Sequence, residues 1–324
     1  LHPHQTGIGI LTKDDRPHGY PGSLNDDCVT VAEILSGAGY ATSVVGKWHL
    51  ASNIRQANGA WPTRRGFDHF YGTLAGSCSY FQPASLTRGE RNAEAEATEQ
   101  ADYYYTDAIS QEACTFVREK SQLKQAFFMY VAYTAPHWPL QASEEDIVKY
   151  RGRYDEGWDV LRERRMQKLR ESGLLADAVQ ACERDPEEPA WEQAENKAWE
   201  ARRMEVYAAM AEAMDFHIGR LMAHLKQTGE YDNTVFVFMS DNGAEASDPY
   251  ALAVGRWWLD RHYNRDLDRL GSPGAYSIIG PNWASAATAP LSTYKFFAGE
   301  GGIRVPLIIS GIPTAAKPVV QNSL

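Results

Sequence analysis

Six polar residues, widely separated in the chain, have side chains suited to handling a small oxyanion or a hard cation. Lys47 and His49 lie two residues apart, so an extended segment would point both the same way. A lysine and a histidine side by side fit an oxyanion; they equally fit a surface lysine next to a satisfied histidine. His137 stands between Pro136 and Trp138 and ahead of Pro139. The prolines restrict its backbone, which suits a rigidly placed acid or a histidine packed on tryptophan. Asp241 and Asn242 offer a carboxylate and an amide oxygen, the donors a cation such as calcium prefers, although Asp-Asn-Gly also makes an ordinary tight turn. Lys295 precedes the turn Gly299 to Gly302, where a positive charge could clamp a sulfate or phosphate oxygen or simply stand in water.

The pattern around these residues says what must position them. Three times an amphipathic stretch is followed by a breaker, a β-rich apolar run and one of the polar clusters, which is an αβ unit each time. Val29, Ala32, Ile34 and Leu35 form a predicted helix face; Gly37 and Gly39 end it, and Tyr40 to Val45 is a predicted strand leading into Lys47 and His49. A helix around Tyr103 to Lys120 leads into Ala126 to Tyr133, whose continuous apolar run predicts a strand covered on both faces, and then into His137. Val206, Met210, Met214, Ile218, Leu221 and Leu225 predict a long helix, Gly229 its stop, and Thr234 to Met239 a strand leading into Asp241. A fourth strand is expected at Val305 to Ile309. In a doubly wound sheet the carboxyl ends of parallel strands face one crevice, so the clusters are expected to converge there.

Two regions interrupt the alternation. Residues 150–203, rich in charge and with Trp158, Leu161, Met166 and Leu169 at near-helical spacing, are expected to be a helical insertion over one side of the sheet. Residues 248–290, rich in aromatics, glycine and proline, are expected to be a long ordered loop. The fold class is therefore α/β, layered, with a mixed, largely parallel central sheet flanked by helices.

Composition bounds the function. A net charge of −10 argues against a general nucleic-acid binder. The longest apolar runs are too short for the roughly 20 residues of a transmembrane helix, so no transmembrane segment is expected. Four scattered cysteines lack the close pairs of a zinc site. The chain opens at Leu1 without a methionine or signal peptide, which reads as a piece cut at both ends and leaves cytoplasmic and periplasmic locations open.

Five segments, in order, resemble the sulfatase family: Gly39-Tyr40 to His49, Arg65-Gly66-Phe67-Asp68 to Tyr71-Gly72, Ala135-Pro136-His137, Ser240-Asp241-Asn242-Gly243, and Lys295 to Pro306. Trp158 with its arginine-rich helix and the stretch Gly280-Pro281-Asn282-Trp283-Ala284 look most like the bacterial arylsulfatase branch. The resemblance implies an alkaline-phosphatase-like fold, with residues 1–324 forming a catalytic domain that lacks its first strand and C-terminal subdomain. It also implies hydrolysis of small sulfate monoesters with one calcium ion. The nucleophile would be a formylglycine, made by a formylglycine-generating enzyme from a Cys/Ser-x-Pro-x-Arg motif expected upstream of Leu1, so that this piece alone is inactive. By resemblance Asp241 and Asn242 are calcium ligands, and Lys47 and Lys295 hold sulfate oxygens. His49 would deprotonate the formylglycine diol to expel sulfate, and His137 would protonate the leaving group. Cys114-Thr115-Phe116-Val117-Arg118 imitates the motif but has phenylalanine for proline and falls in a predicted helix. The pairs Asp14-Asp15 and Asp26-Asp27 come too late to be the family's metal pair and are read as turn and helix-start residues. A phosphonate monoester or phosphodiester hydrolase of the same superfamily, or a non-catalytic sulfatase-like binding protein, are the competing readings.

Overall fold

A computed structural model describes residues 3–9, 20–183, 188–249 and 253–312; the pair Asp14-Asp15 lies outside them. In chain order the elements that matter are α1 (Val31–Gly37), β1 (Ala41–Gly46), β2 (His69–Thr73), β3 (Leu86–Arg88), β4 (Arg91–Asn92), α2 (Tyr105–Leu123) and β5 (Phe127–Ala132). They are followed by α3 (Gly157–Glu171), α4 (Lys197–Thr228), β6 (Phe236–Met239), α5 (Ala253–His262), α6 (Gly280–Thr288) and β7 (Leu307–Ser310). The chain divides into two compact units, Leu1–Pro139 with Ala211–Tyr231, and Leu140–Met210 with Asp232–Leu324. No helix among the described residues is long and apolar enough to cross a membrane.

The first unit is built on a five-stranded mixed sheet of order β4-β3-β2-β1-β5. β1 runs parallel to β2, pairing Val44 with Phe70, and parallel to β5, pairing Gly46 with Ala132; β3 and β4 continue the sheet antiparallel. Every residue of β1 is buried, which its polar members tolerate because each is paired. Thr42 donates both its amide N–H and its hydroxyl to Asp68 Oδ2, at 2.9 and 3.0 Å, and Ser43 Oγ meets His69 Nδ1 at 2.9 Å. α1 starts at a full capping box, in which Thr30 and Glu33 satisfy each other's backbone amides. Of its expected apolar face, Ala32 is buried, whereas Val29 and Ile34 stay exposed. β5 was expected to be covered on both faces; it stands at the edge of this sheet and is half-exposed, with Tyr130 at 49%.

Ser43, His69 and Glu112 line up like a hydrolase triad, with His69 Nε2 at 2.9 Å from Glu112 Oε1, yet Ser43 has no solvent exposure and no substrate could reach it. The arrangement ties the interior strands β1 and β2 to α2. Burial raises the Glu112 carboxyl, but hydrogen bonds from His69 and Arg88 outweigh it and leave the group below the ordinary glutamate range. A depressed folded-state pKa contributes stability that is present above the unfolded value of about 4.3 and lost as pH falls through the folded one. Glu112→Gln should therefore lower the melting temperature at pH 7, and the gap should narrow as pH falls below the ordinary glutamate range; a gap independent of pH in paired melts would show that the charge contributes nothing.

The second unit has an aromatic centre. Trp158 of α3, Trp191 and Trp283 of α6 pack mutually, with ring centroids 4.7 to 5.9 Å apart, and the Trp283 indole N–H donates to the Glu200 carbonyl of α4 at 3.0 Å. The helical insertion expected at 150–203 contains α3 and the start of α4. Residues 248–290, read from sequence as a loop, contain α5 and α6. β6, expected as a third parallel strand, pairs instead antiparallel with β7, Phe236 opposite Ser310 and Met239 opposite Leu307. Strand propensity placed both segments correctly, but propensity does not select a partner.

Candidate active site

In the first unit the chain leaving β1 is tied to both neighbouring strands. Lys47 N–H donates to the Ala132 carbonyl and Trp48 N–H to that of Thr73, both at 2.9 Å. Gly46, with φ +111°, passes so close to Ala132 that a Cβ would overlap its carbonyl. The Trp48 indole is buried, donates to the Ala60 carbonyl at 2.8 Å and meets Phe67 edge-on at 5.8 Å. A buried tryptophan between Lys47 and His49 thus fixes the backbone from which both project. The segment is not extended to its end: His49 has φ +53°, a left-handed conformation that costs a non-glycine residue roughly 1–3 kcal/mol and that the surroundings must impose.

Those surroundings are a loop, residues 76–80, that sequence reasoning passed over. The His49 ring lies directly on Gly76, where any Cβ would overlap it. Cys78 is fully buried beside Lys47, and burial pushes its thiol up to about 12 although the lysine charge opposes the shift. Tyr80, 1% exposed, donates its hydroxyl to the His137 carbonyl at 3.0 Å. One five-residue loop therefore touches His49 and His137 and lies within electrostatic reach of Lys47, three residues that parallel pairing of β1 and β5 already places beyond the same ends of adjacent strands.

His137 is oriented by its neighbours. Its N–H donates to the Thr134 carbonyl at 2.9 Å, its ring lies 4.9 Å from that of Trp138, and its Nδ1 is 2.8 Å from the Trp138 carbonyl. A carbonyl only accepts, so Nδ1 carries the hydrogen of this bond.

In the second unit Asp241 and Asn242 follow β6 directly, with Ser240 Oγ donating to the Asn242 carbonyl at 2.8 Å. The following residues are zipped to the glycine turn: Gly243 N–H donates to the Gly302 carbonyl at 3.0 Å and Lys295 N–H to that of Ala244 at 3.1 Å. The Lys295 ammonium is 2.5 Å from Glu245 Oε2. The structure thus groups Lys47, His49 and His137 in one unit and Asp241, Asn242 and Lys295 in the other. As for a cation, Asp241 and Asn242 are the right kind of donor. Among the described residues no cluster of three or more His, Cys, Asp or Glu could hold a metal ion. They amount to two of the roughly six to eight oxygens calcium takes. Cys114 lies inside α2 and is buried, in keeping with its rejection as a nucleophile.

A family model described as Sulfatase matches residues 2–323. The chain is 39% identical to an uncharacterized sulfatase of Schizosaccharomyces pombe, over 98% of this chain and 61% of that protein. It is 34% identical to the arylsulfatase of Klebsiella aerogenes, over 95% of this chain and 68% of that one. Among solved structures, the crystal structure of Ps i-CgsB matches with a TM-score of 0.58 at 24% identity, covering 95% of this chain and 52% of that one, which shows a common fold. The chain spans between half and about two thirds of the length of these relatives.

Proposed function

Because the chain belongs to the sulfatase family, we propose that it carries most of the substrate-handling residues of a sulfuric ester hydrolase acting on aryl sulfates. The aryl preference is supported by the identity with the Klebsiella aerogenes arylsulfatase. The observation that carries the reading is the 76–80 loop, which packs against two histidines at the ends of β1 and β5 within electrostatic reach of Lys47.

On this reading Lys47 and Lys295 hold sulfuryl oxygens, where fixed cations oppose the charge that develops as the ester bond breaks. His137 gives the Nε2 proton to the departing phenolate oxygen, while His49 accepts a proton from the nucleophile. Asp241 and Asn242 would hold the calcium ion, which when bound neutralises charge on the sulfuryl oxygens. No Cys/Ser-x-Pro-x-Arg sequence occurs in these 324 residues, so the formylglycine of the reading is not theirs to supply, and the chain alone should release no sulfate from an aryl sulfate.

The reading is tested at the metal and at the lysine. Asp241→Ala should remove the calcium-dependent rise in melting temperature, which for a site saturated 100-fold above its Kd is worth about 2.7 kcal/mol. A variant that still gained stability from calcium would take Asp241 out of the site. In the protein containing the nucleophile segment, Lys47→Ala should reduce aryl sulfate turnover by about 10²-fold or more; undiminished turnover would sink the assignment.

A further inference from the structure

The geometry points to Glu245 as the residue that positions Lys295, a role that rests on the proposed reading of Lys295 as a holder of sulfuryl oxygens. The two side chains are 9% and 14% exposed, and the ammonium nitrogen lies 2.5 Å from Glu245 Oε2. The other carboxylate oxygen is occupied as well. Oε1 accepts the backbone N–H of Ser247 at 2.7 Å and its hydroxyl. The carboxylate is therefore held from behind by Ser247 and reaches forward to the lysine. The backbones are joined independently, since Lys295 N–H bonds to the Ala244 carbonyl immediately before Glu245.

Lysine is a long, rotatable point charge, and its ammonium has three donors whose directions are fixed as soon as one is committed. Glu245 commits one. The Phe296 ring, 5.2 Å from the Lys295 ammonium, adds an attraction that is diffuse and sets no direction. Without the carboxylate more of the ordering of the ammonium would fall to substrate binding, and that entropy would be lost from transition-state stabilisation.

Glu245 acts through Lys295, which makes the test a double-mutant cycle in the protein containing the nucleophile segment, assayed on an aryl sulfate. Glu245→Ala should lower kcat/KM by about 10–100-fold, whereas the same change on a Lys295→Ala background should have almost no further effect. Glu245→Gln should recover part of the loss. An amide has one accepting end, so it can serve Lys295 or Ser247 but not both. If Glu245→Ala costs equally in both backgrounds and melting temperatures fall in parallel, Glu245 is merely structural and the inference is overturned. If Lys295→Ala cripples the enzyme while both Glu245 variants stay within twofold of wild type, the inference fails and the role of Lys295 stands. If Lys295→Ala has no effect, the reading of Lys295 fails and takes the inference with it.

Discussion

His137→Ala should slow hydrolysis of an aryl sulfate with a basic leaving phenol by about 10²–10⁴-fold, the usual range for removal of a positioned general acid. With a nitrophenol leaving group the loss should be far smaller. A proton is needed at the departing oxygen only when that oxygen would otherwise leave as a basic phenolate. The structural warrant is the hydrogen bond from Nδ1 to the Trp138 carbonyl at 2.8 Å, which leaves Nε2 as the ring nitrogen this bond does not use. The ring is further held by Trp138, and the backbone by Thr134 and the Tyr80 hydroxyl. In a series of aryl sulfates the dependence of log kcat/KM on leaving-group pKa should become steeper in the variant. Equal slowing for every leaving group would remove the acid role from His137, because a merely positional loss is blind to the basicity of the oxygen.

How far such a role could be read without coordinates depended on distance along the chain. The three helix-strand alternations were legible, since each is a local pattern of period and breaker, and the polar residues after β1, β5 and β6 followed from them. What sequence could not supply was the partner of each strand. β5 and β1 are neighbours, but β6, equally apolar, pairs with β7, whose partner residues lie 68 to 74 positions farther along. The 76–80 loop was missed for a related reason. Gly-Ser-Cys-Ser-Tyr has no period, and the constraint on Gly76 exists only once the His49 ring lies upon it. The helix α6, by contrast, carried a signal that was overlooked: Gly280-Pro281 places proline in the first turn, a common helix start, within a region whose glycines and prolines suggested a loop. The Arg65-Gly66-Phe67-Asp68 segment was legible as a family likeness but not as physics. Asp68 secures the start of β1 through Thr42, and Arg65 has no contact with any proposed catalytic residue in its hydrogen bonds.

Arg65→Ala should nevertheless produce the largest loss of stability of any single change considered for this chain, about 3–5 kcal/mol, the cost of breaking a buried charge pair by removing one partner. The side chain is 3% exposed. Its Nε donates to Glu33 Oε1 at 2.8 Å, one terminal nitrogen to the Asn25 carbonyl at 2.7 Å and the other to the Cys28 carbonyl at 2.5 Å. Glu33 is also the acceptor that closes the capping box of α1 through the Thr30 N–H at 2.7 Å, and Thr30 Oγ1 returns a bond to the Arg65 carbonyl at 2.9 Å. One guanidinium thus joins the loop at residues 25–28, the start of α1 and the turn into β2. Truncation would leave two carbonyls and a carboxylate short of donors; because Glu33 is 30% exposed, water relieves part of the penalty, which places the expected value toward the lower end. Arg65→Lys should rescue little, since an ammonium cannot span three acceptors arranged for a planar fork. Denaturant unfolding of the two variants decides it: a loss below about 1 kcal/mol for Arg65→Ala, or full recovery by lysine, would mean that the fork geometry is incidental to the fold.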